Sequence, residues 1–395
     1  MSVADAIATR IRRNGPITFA ELQELALYHP DGGFFTGGHG AGRAGGDFVT
    51  SPEVGPLFGA LVARSLDDTW RALGRPDPFV VVEAGAGNGR LASDVLRAEP
   101  DCALALRYVL VERSPELRAR QRERLTLEPA DEALGPMMRT EDPDGPDELV
   151  EGMGPITTTL DDLPGVPFTG VVLANELLDN LPVRIVERSA DGWAEVRVGL
   201  GDGGTLVESI VPADPELTIE ADEVAGGTRV PLGARLPVPE AAAEWLAAAA
   251  FVLRRGTVVL VDYAAPVAEL LARGADGWLR TYREHGRGAG PFDAPGTQDL
   301  TCDVPLEYLA TVARRAGFEI DRDTTQAEWL RELGVDELVD EGRATWRERA
   351  HLGDLEAIAG RSRIGEAEAL TDPAGLGAHR VVVLSKGLHR RYPAA

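Results

Sequence analysis

The feature that most restricts this chain is the run Phe79-Val-Val-Val-Glu83-Ala-Gly85-Ala-Gly87-Asn-Gly89-Arg-Leu-Ala-Ser-Asp94. A short unbroken β-branched stretch with no polar alternation reads as a strand buried on both faces, which belongs in a parallel sheet. Three glycines at alternate positions follow, and a helical pattern opens directly after them. Glycine there permits a tight turn and lets the backbone approach a ligand at the carboxyl end of the first strand, where open α/β sheets bind. A nicotinamide dinucleotide fingerprint read from Gly85 needs a small residue where Arg90 stands, so that cofactor is disfavoured.

From this run onward β-favouring and helical stretches alternate, the signature of βαβ units. Strands are predicted at Phe79–Ala84, Tyr108–Glu112, Val171–Ala174 and Thr257–Asp262, with helices at Leu91–Arg97, Pro115–Leu125 and Pro239–Arg254. Ile156–Thr159 adds a β-like run, and Gly317–Arg322 with His379–Ser385 suit a terminal antiparallel pair. The expected class is α/β, a doubly wound Rossmann-like sheet of seven strands.

Ahead of the sheet, Val3–Arg13 reads as an amphipathic helix, and Thr18 with Glu21 forms a capping box opening a second helix to Leu27. The glycine-dense stretch 31–47 reads as a ligand-hugging loop, and Pro52–Leu73 resumes helical periodicity. Two segments interrupt the alternation. Residues 128–154 are dense in Glu, Asp, Pro and Gly and read as an exposed excursion, whereas 183–239 holds alternating runs at Val183–Glu187, Ala194–Val198 and Leu206–Val211. The expected organisation is therefore an N-terminal helical segment with its glycine-rich loop over 1–78, a core over 79–182 and 240–388, and an inserted antiparallel β subdomain over 183–239.

Composition narrows the partners. With 64 acidic against 40 basic residues the net charge is −24, a field that repels phosphate backbones, so nucleic acid is disfavoured; the charge suits a cationic partner, and more simply a solubilising surface. Cys102 and Cys302 lie far apart with no companion at metal-ligand spacing, so no metal is expected. No run reaches the ~20 apolar residues that span a bilayer, and the N-terminus lacks a signal-peptide centre. A cytoplasmic protein is the expectation.

Two further clusters carry chemistry. Glu112 ends the second strand 23 residues past Gly89, where a carboxylate can accept from both hydroxyls of a ribose. Asp161 and Asp162 follow the third strand, where one can meet an adenine amino group or both can equally belong to an exposed acidic loop. After the fourth strand comes Ala174-Asn175-Glu176-Leu-Leu-Asp179-Asn180-Leu-Pro182. Glu176 and Asp179 can clamp a guanidinium or take a proton from a nucleophile, while Asn175 and Asp179 can equally cap a helix.

The glycine motif with its leading Glu83 resembles the first motif of class I methyltransferases. Taken with Gly46-Asp-Phe-Val-Thr-Ser-Pro-Glu53, Val111-Glu-Arg-Ser-Pro-Glu-Leu117, Ala174–Pro182, Val261-Asp262-Tyr263, Thr281-Tyr-Arg-Glu-His285 and Pro295-Gly-Thr-Gln-Asp299-Leu-Thr301, the chain resembles the MidA-like S-adenosylmethionine-dependent methyltransferases, relatives of a mitochondrial complex I assembly factor. The resemblance implies S-adenosylmethionine as cofactor, held by Gly85, Gly87, Gly89, Glu83, Glu112, Asp161 and Asn175, with Asp47, Thr50, Ser51, Pro52 and Glu53 folding over it. It implies catalysis by Glu176 and Asp179, with His285 a candidate base, and arginine methylation on a protein such as a respiratory-complex subunit. A homodimer is admitted. The alternatives are a small-molecule O- or N-methyltransferase and an assembly factor that binds the cofactor without turnover.

Overall fold

The computed structural model describes residues 2–37, 49–135, 138–139, 148–149, 151–284 and 286–388. The chain divides into two compact units, one made of Met1–Val49, Glu176–Ala248 and Asp262–Gly317, the other of Thr50–Asn175, Ala249–Val261 and Phe318–Ala395.

The second unit is built on a seven-stranded sheet. Its strands are β1 (Phe79–Ala84), β2 (Leu106–Val111), β3 (Ile156–Leu160), β4 (Phe168–Asn175), β5 (Leu253–Asp262), β6 (Glu319–Thr325) and β7 (Arg380–Lys386). They lie in the order β3-β2-β1-β4-β5-β7-β6. The pairs β1/β2, β1/β4, β2/β3 and β4/β5 are parallel, and β6/β7 is antiparallel. Every residue of β1 and of β2 is buried, which is why these strands read as apolar runs rather than as alternation. The expected Rossmann-like α/β sheet is present, with its antiparallel terminal pair.

Two close approaches fix how this sheet and its helices pack. A Cβ on Gly170 of β4 would stand 1.8 Å from the carbonyl oxygen of Val80, so no larger residue fits at that register. On the helix layer, a Cβ on Gly59 of the Pro56–Ala72 helix would stand 2.5 Å from Cβ of Asp94 on the Arg90–Arg97 helix. Asp94 is buried and ion-paired with Arg90 at 2.7 Å and Arg97 at 2.8 Å, so it cannot swing away cheaply. Phe58, Leu61, Leu91, Val95 and the inward side chains of β1 and β2 fill the core beside this crossing.

The first unit is β-rich. Its main sheet runs Ile17–Thr18, Gly192–Leu200, Arg184–Ser189, Arg235–Val238, with Leu206–Pro212 also pairing Gly192–Leu200, and each of these pairings is antiparallel. The alternating runs read from the sequence are thus strands. A smaller antiparallel sheet joins Leu279–Arg283 to Gly286–Arg287 and Asp299–Cys302. Buried Gln23, on the Phe19–Tyr28 helix, ties these parts together: its amide donates to Leu300 O at 3.1 Å and accepts from Val183 N at 3.1 Å. The Thr18/Glu21 capping box that opens this helix forms as predicted.

Several details depart from the sequence reading. The helix expected over Pro239–Arg254 ends at Val252, and Leu253 and Arg254 already belong to β5. In the acidic excursion, Ala130–Leu134 is helical and Met138–Arg139 pairs Glu148–Leu149. The helical hairpin Val335–Arg349 and Leu355–Thr371 was not anticipated. Its helices touch at Gly342 and Gly360, where a Cβ on either would stand 2.5 and 2.7 Å from the other's carbonyl oxygen.

Substituting Gly59→Leu forces the two helices apart against buried, ion-paired Asp94. The expected cost is about 2–3 kcal/mol of unfolding free energy in urea titration, and an unchanged midpoint would refute the packing argument.

Candidate active site

The glycine turn is held from below and from the side. Gly85, Gly87 and Gly89 all have positive φ (73°, 51° and 78°), conformations that suit glycine. The amides of Gly85 and Ala86 both donate to Val111 O, at 2.9 and 3.0 Å, so the turn folds over the end of β2. The next residue completes the arrangement: Glu112 accepts from Gly87 N at 3.0 Å on Oε2 and from Ser114 N at 2.8 Å on Oε1. Gln121 donates to Gly87 O at 2.9 Å and is itself oriented by the Thr159 hydroxyl at 2.6 Å.

The position of Gly87 is open, with nothing within 4 Å of the place a Cβ would take. Glu112 is half-buried, and each of its oxygens has received one backbone N–H, leaving a lone pair for a further donor. Burial pushes its carboxyl above the usual range, opposed by those two N–H groups. Asp161 is exposed immediately after β3, on the strand beside β2. These residues fit a nucleoside: a glycine backbone that can be approached closely, a carboxylate with spare acceptor capacity and a second carboxylate one strand further on.

Glu83 does something different from what the motif suggested. It is 5% exposed, accepts from Tyr108 Oη at 2.8 Å and from the Ala92 amide in the first turn of the following helix. Burial pushes its carboxyl up to about 8. It supports the turn from inside the core.

The segment before the sheet is placed in part. Asp47 lies outside the described residues. Thr50 is buried, and Ser51–Val54 forms one helical turn. Ser51 points inward and donates to Gln326 Oε1 at 2.8 Å, while Gln326 donates to Leu370 O at 2.9 Å. Pro52 and Glu53 are half-exposed, and Asn88 of the glycine turn approaches Glu53 Oε1 at 3.4 Å. Thus Glu53 adjoins the turn, and Ser51 anchors its segment to the C-terminal helices.

At the carboxyl end of β4 the chain leaves Asn175 and enters Glu176, whose φ is 52°. A non-glycine residue in this region costs of order 1–3 kcal/mol and persists where surroundings impose it, commonly at functional sites. In the β-rich unit a cleft of about 230 Å³ is lined by Glu176, Asp179, Tyr263, Tyr282 and Asp299, together with Val49, Asn180 and Thr301. Three carboxylates and two phenol rings therefore share one small space. Asp262 lies directly behind it, accepting from Leu177 N at 3.0 Å, Leu178 N at 2.7 Å and Tyr263 N at 2.8 Å.

The electrostatics of this cleft are unusual. Asp179 is 2% exposed, and its carboxyl is pushed well above the usual range by burial and by the charges of Asp262, Asp299 and Glu176, with Arg280 opposing. Asp262 is pushed up to about 6 by burial, restrained by its backbone donors. Arg280 is buried, stacks 4.6 Å from the Tyr263 ring centroid and pairs with Asp303. The sequence reading singled out Glu176 and Asp179 and did not assign Asp299, Tyr282 or Thr301. All three sat in quoted motifs, but nothing in their spacing showed that an antiparallel sheet brings them to Glu176. His285 lies outside the described residues.

A glycine turn closing on a strand-end carboxylate, in a sheet with this strand order, defines the class I methyltransferase architecture. Residues 61–323 match a family model described as putative S-adenosyl-L-methionine-dependent methyltransferase, and the chain belongs to that family. It is an S-adenosylmethionine-dependent methyltransferase. A crystal structure of a candidate methyl transferase from Burkholderia thailandensis, bound to S-adenosyl-homocysteine, aligns with a TM-score of 0.78 at 29% identity, covering 98% of this chain and 92% of that one. Among curated relatives, the protein arginine methyltransferase NDUFAF7, mitochondrial, of Homo sapiens is 30% identical over 83% of this chain and 72% of its own length. The Danio rerio protein of the same name is 29% identical over 85% and 77%. The expectation of a cytoplasmic protein is corrected by these relatives, which are named as mitochondrial. It rested on the lack of an apolar span, and although no described helix is long and apolar enough to cross a membrane, that fact specifies no compartment.

Two outcomes test the turn. Glu112→Ala removes the acceptor that holds Gly87 and is expected to weaken S-adenosylhomocysteine binding at least tenfold by calorimetry. Glu83 binds a proton more tightly folded than unfolded, so its contribution is largest at low pH and falls as pH rises from about 4.5 to about 8. Relative to Glu83→Gln, the native chain should therefore lose about 3 kcal/mol in denaturant titrations between pH 5 and 8. A pH-independent difference would show that Glu83 ionises freely in the folded protein.

Proposed function

We propose that this enzyme methylates a guanidinium nitrogen of arginine in a protein. The observation that carries this reading is the acidic, tyrosine-walled cleft around Glu176, Asp179 and Asp299. Carboxylates accept the paired N–H groups of a guanidinium, and phenol faces attract its delocalised cation. The cleft's volume suits the end of one long side chain rather than a large metabolite. The relatives named as protein arginine methyltransferases support the same acceptor, and the net charge of −24 favours a basic target. A respiratory-complex subunit as that target is the finer part of the proposal.

In this reading Gly85, Gly87 and Gly89 let the backbone lie along the cofactor, Glu112 accepts from its ribose hydroxyls, and Asp161 accepts from its adenine amino group. Glu53 covers the turn beside Asn88, and Asn175 closes the end of β4. When bound, S-adenosylmethionine supplies an electrophilic methyl group on a sulfonium. Glu176 orients the guanidinium and, by localising its charge, leaves one nitrogen more nucleophilic. Tyr263 and Tyr282 restrict water, and a carboxylate of the cluster receives the proton that the nitrogen loses.

The test is to incubate the purified enzyme with methyl-labelled S-adenosylmethionine and a cell lysate, then hydrolyse the protein fraction and look for methylarginine. Label found only in small molecules would overturn the acceptor assignment. Glu176→Ala should keep S-adenosylhomocysteine affinity within about twofold while turnover falls at least a hundredfold, about 3 kcal/mol of transition-state stabilisation.

A further inference from the structure

The acidic cleft gathers Glu176, Asp179 and Asp299 in one space, with Asp262 directly behind it. Glu176 precedes the Leu178–Asn180 turn that carries Asp179, Asp262 and Tyr263 come from the end of β5, and Asp299 and Cys302 from the Asp299–Cys302 strand. Arg280 and Tyr282 face it from the Leu279–Arg283 strand, and Tyr28, from the Phe19–Tyr28 helix, donates to the carbonyl of Asn180 at 3.3 Å. Among the described residues Arg280 is the cation acting on Asp179, and it is already paired with Asp303. Three of these four carboxylates, Asp179, Asp262 and Asp299, are buried, and burial together with mutual repulsion disfavours ionising all of them at once.

Among the buried carboxylates the hydrogen bonds differ. Asp262 accepts three backbone N–H groups. Asp299 Oδ1 accepts from Asn180 Nδ2 at 2.9 Å and from Leu300 N at 2.8 Å. Each such donor favours the carboxylate over the acid. Asp179 Oδ1 is buried with no hydrogen-bond partner among the described residues, and Asp179 lines the cleft.

We propose that Asp179 carries the cluster's proton before substrate binds, and that a guanidinium entering the cleft displaces it to solvent, so that arginine binding is a proton-releasing step. This rests on the arginine reading above. A fixed cation against an unpartnered carboxyl oxygen supplies the interaction that the charged form lacks, and ionised Asp179 then completes the guanidinium's coordination. The upward push on the Asp179 carboxyl agrees with this placement. Afterwards the balance closes: the N–CH3 bond forms as the S–CH3 bond breaks, the nitrogen loses one proton, and ionised Asp179 is available to accept it.

The experiment is calorimetric titration of the enzyme, saturated with S-adenosylhomocysteine, with a glycine-rich pentapeptide carrying one central arginine, in buffers of differing ionisation enthalpy at pH 7. About one proton should be released per peptide bound, and the dissociation constant should weaken about tenfold for each unit by which pH is lowered. The peptide with citrulline in place of arginine, neutral and of similar shape, should release none. Asp179→Asn should bind the arginine peptide without release. Peptide binding by the native enzyme with no proton release, release unchanged in Asp179→Asn, or equal release with citrulline would each overturn the inference while leaving arginine recognition standing. Absence of any arginine-specific binding would bring down the arginine reading and this inference with it.

Discussion

The bond from the Gly87 amide to the Glu112 carboxylate is the contact on which the glycine turn depends. It joins the tip of a turn to the end of the neighbouring strand, and Gly87 takes a φ of 51° there. The carboxylate is fixed at its other oxygen by Ser114, so a side chain that would otherwise be a flexible strand end becomes a rigid acceptor. One interaction thus sets both the path of the glycine backbone and the direction in which Glu112 presents its remaining lone pairs. Gln121 acts on this same joint through Gly87 O, and buried Glu83 holds the first turn of the following helix.

Much of this was legible from the residues alone, because it is local. The β1 run, its glycines and Glu112 are separated by short stretches whose conformations follow from burial and turn chemistry, so the turn and the strand end it meets could be placed together. Glu83 shows where that logic stops. Its place in the motif suggested a ligand contact, but the alternation of a strand sends the side chain into the core, where Tyr108 meets it.

The acidic cleft was readable only in half. Glu176 and Asp179 stand three apart in one turn, and their chemistry is visible at a glance. Asp299 arrives from more than a hundred residues away through an antiparallel pairing, Tyr282 opposite Asp299. Long-range strand pairing leaves little trace in a single sequence, since many registers satisfy the same alternation. The buried pair Gln23 and Leu300, which helps seat that sheet, was equally silent.

One anchor reaches beyond the stretch by which the family is recognised. Glu366, on the Leu355–Thr371 helix, is 7% exposed and accepts from Leu57 N at 2.9 Å, supplying the carboxylate that the start of the Pro56–Ala72 helix lacks. With the Ser51 to Gln326 bond it clamps residues 51–57 at two points, and both clamping residues follow position 323, where the family match ends. A chain cut back to the recognisable segment would therefore keep every glycine of the turn and lose both the adjoining stretch 51–57 and the residues that fasten it. The diagnostic part of this molecule and its self-sufficient part are different lengths.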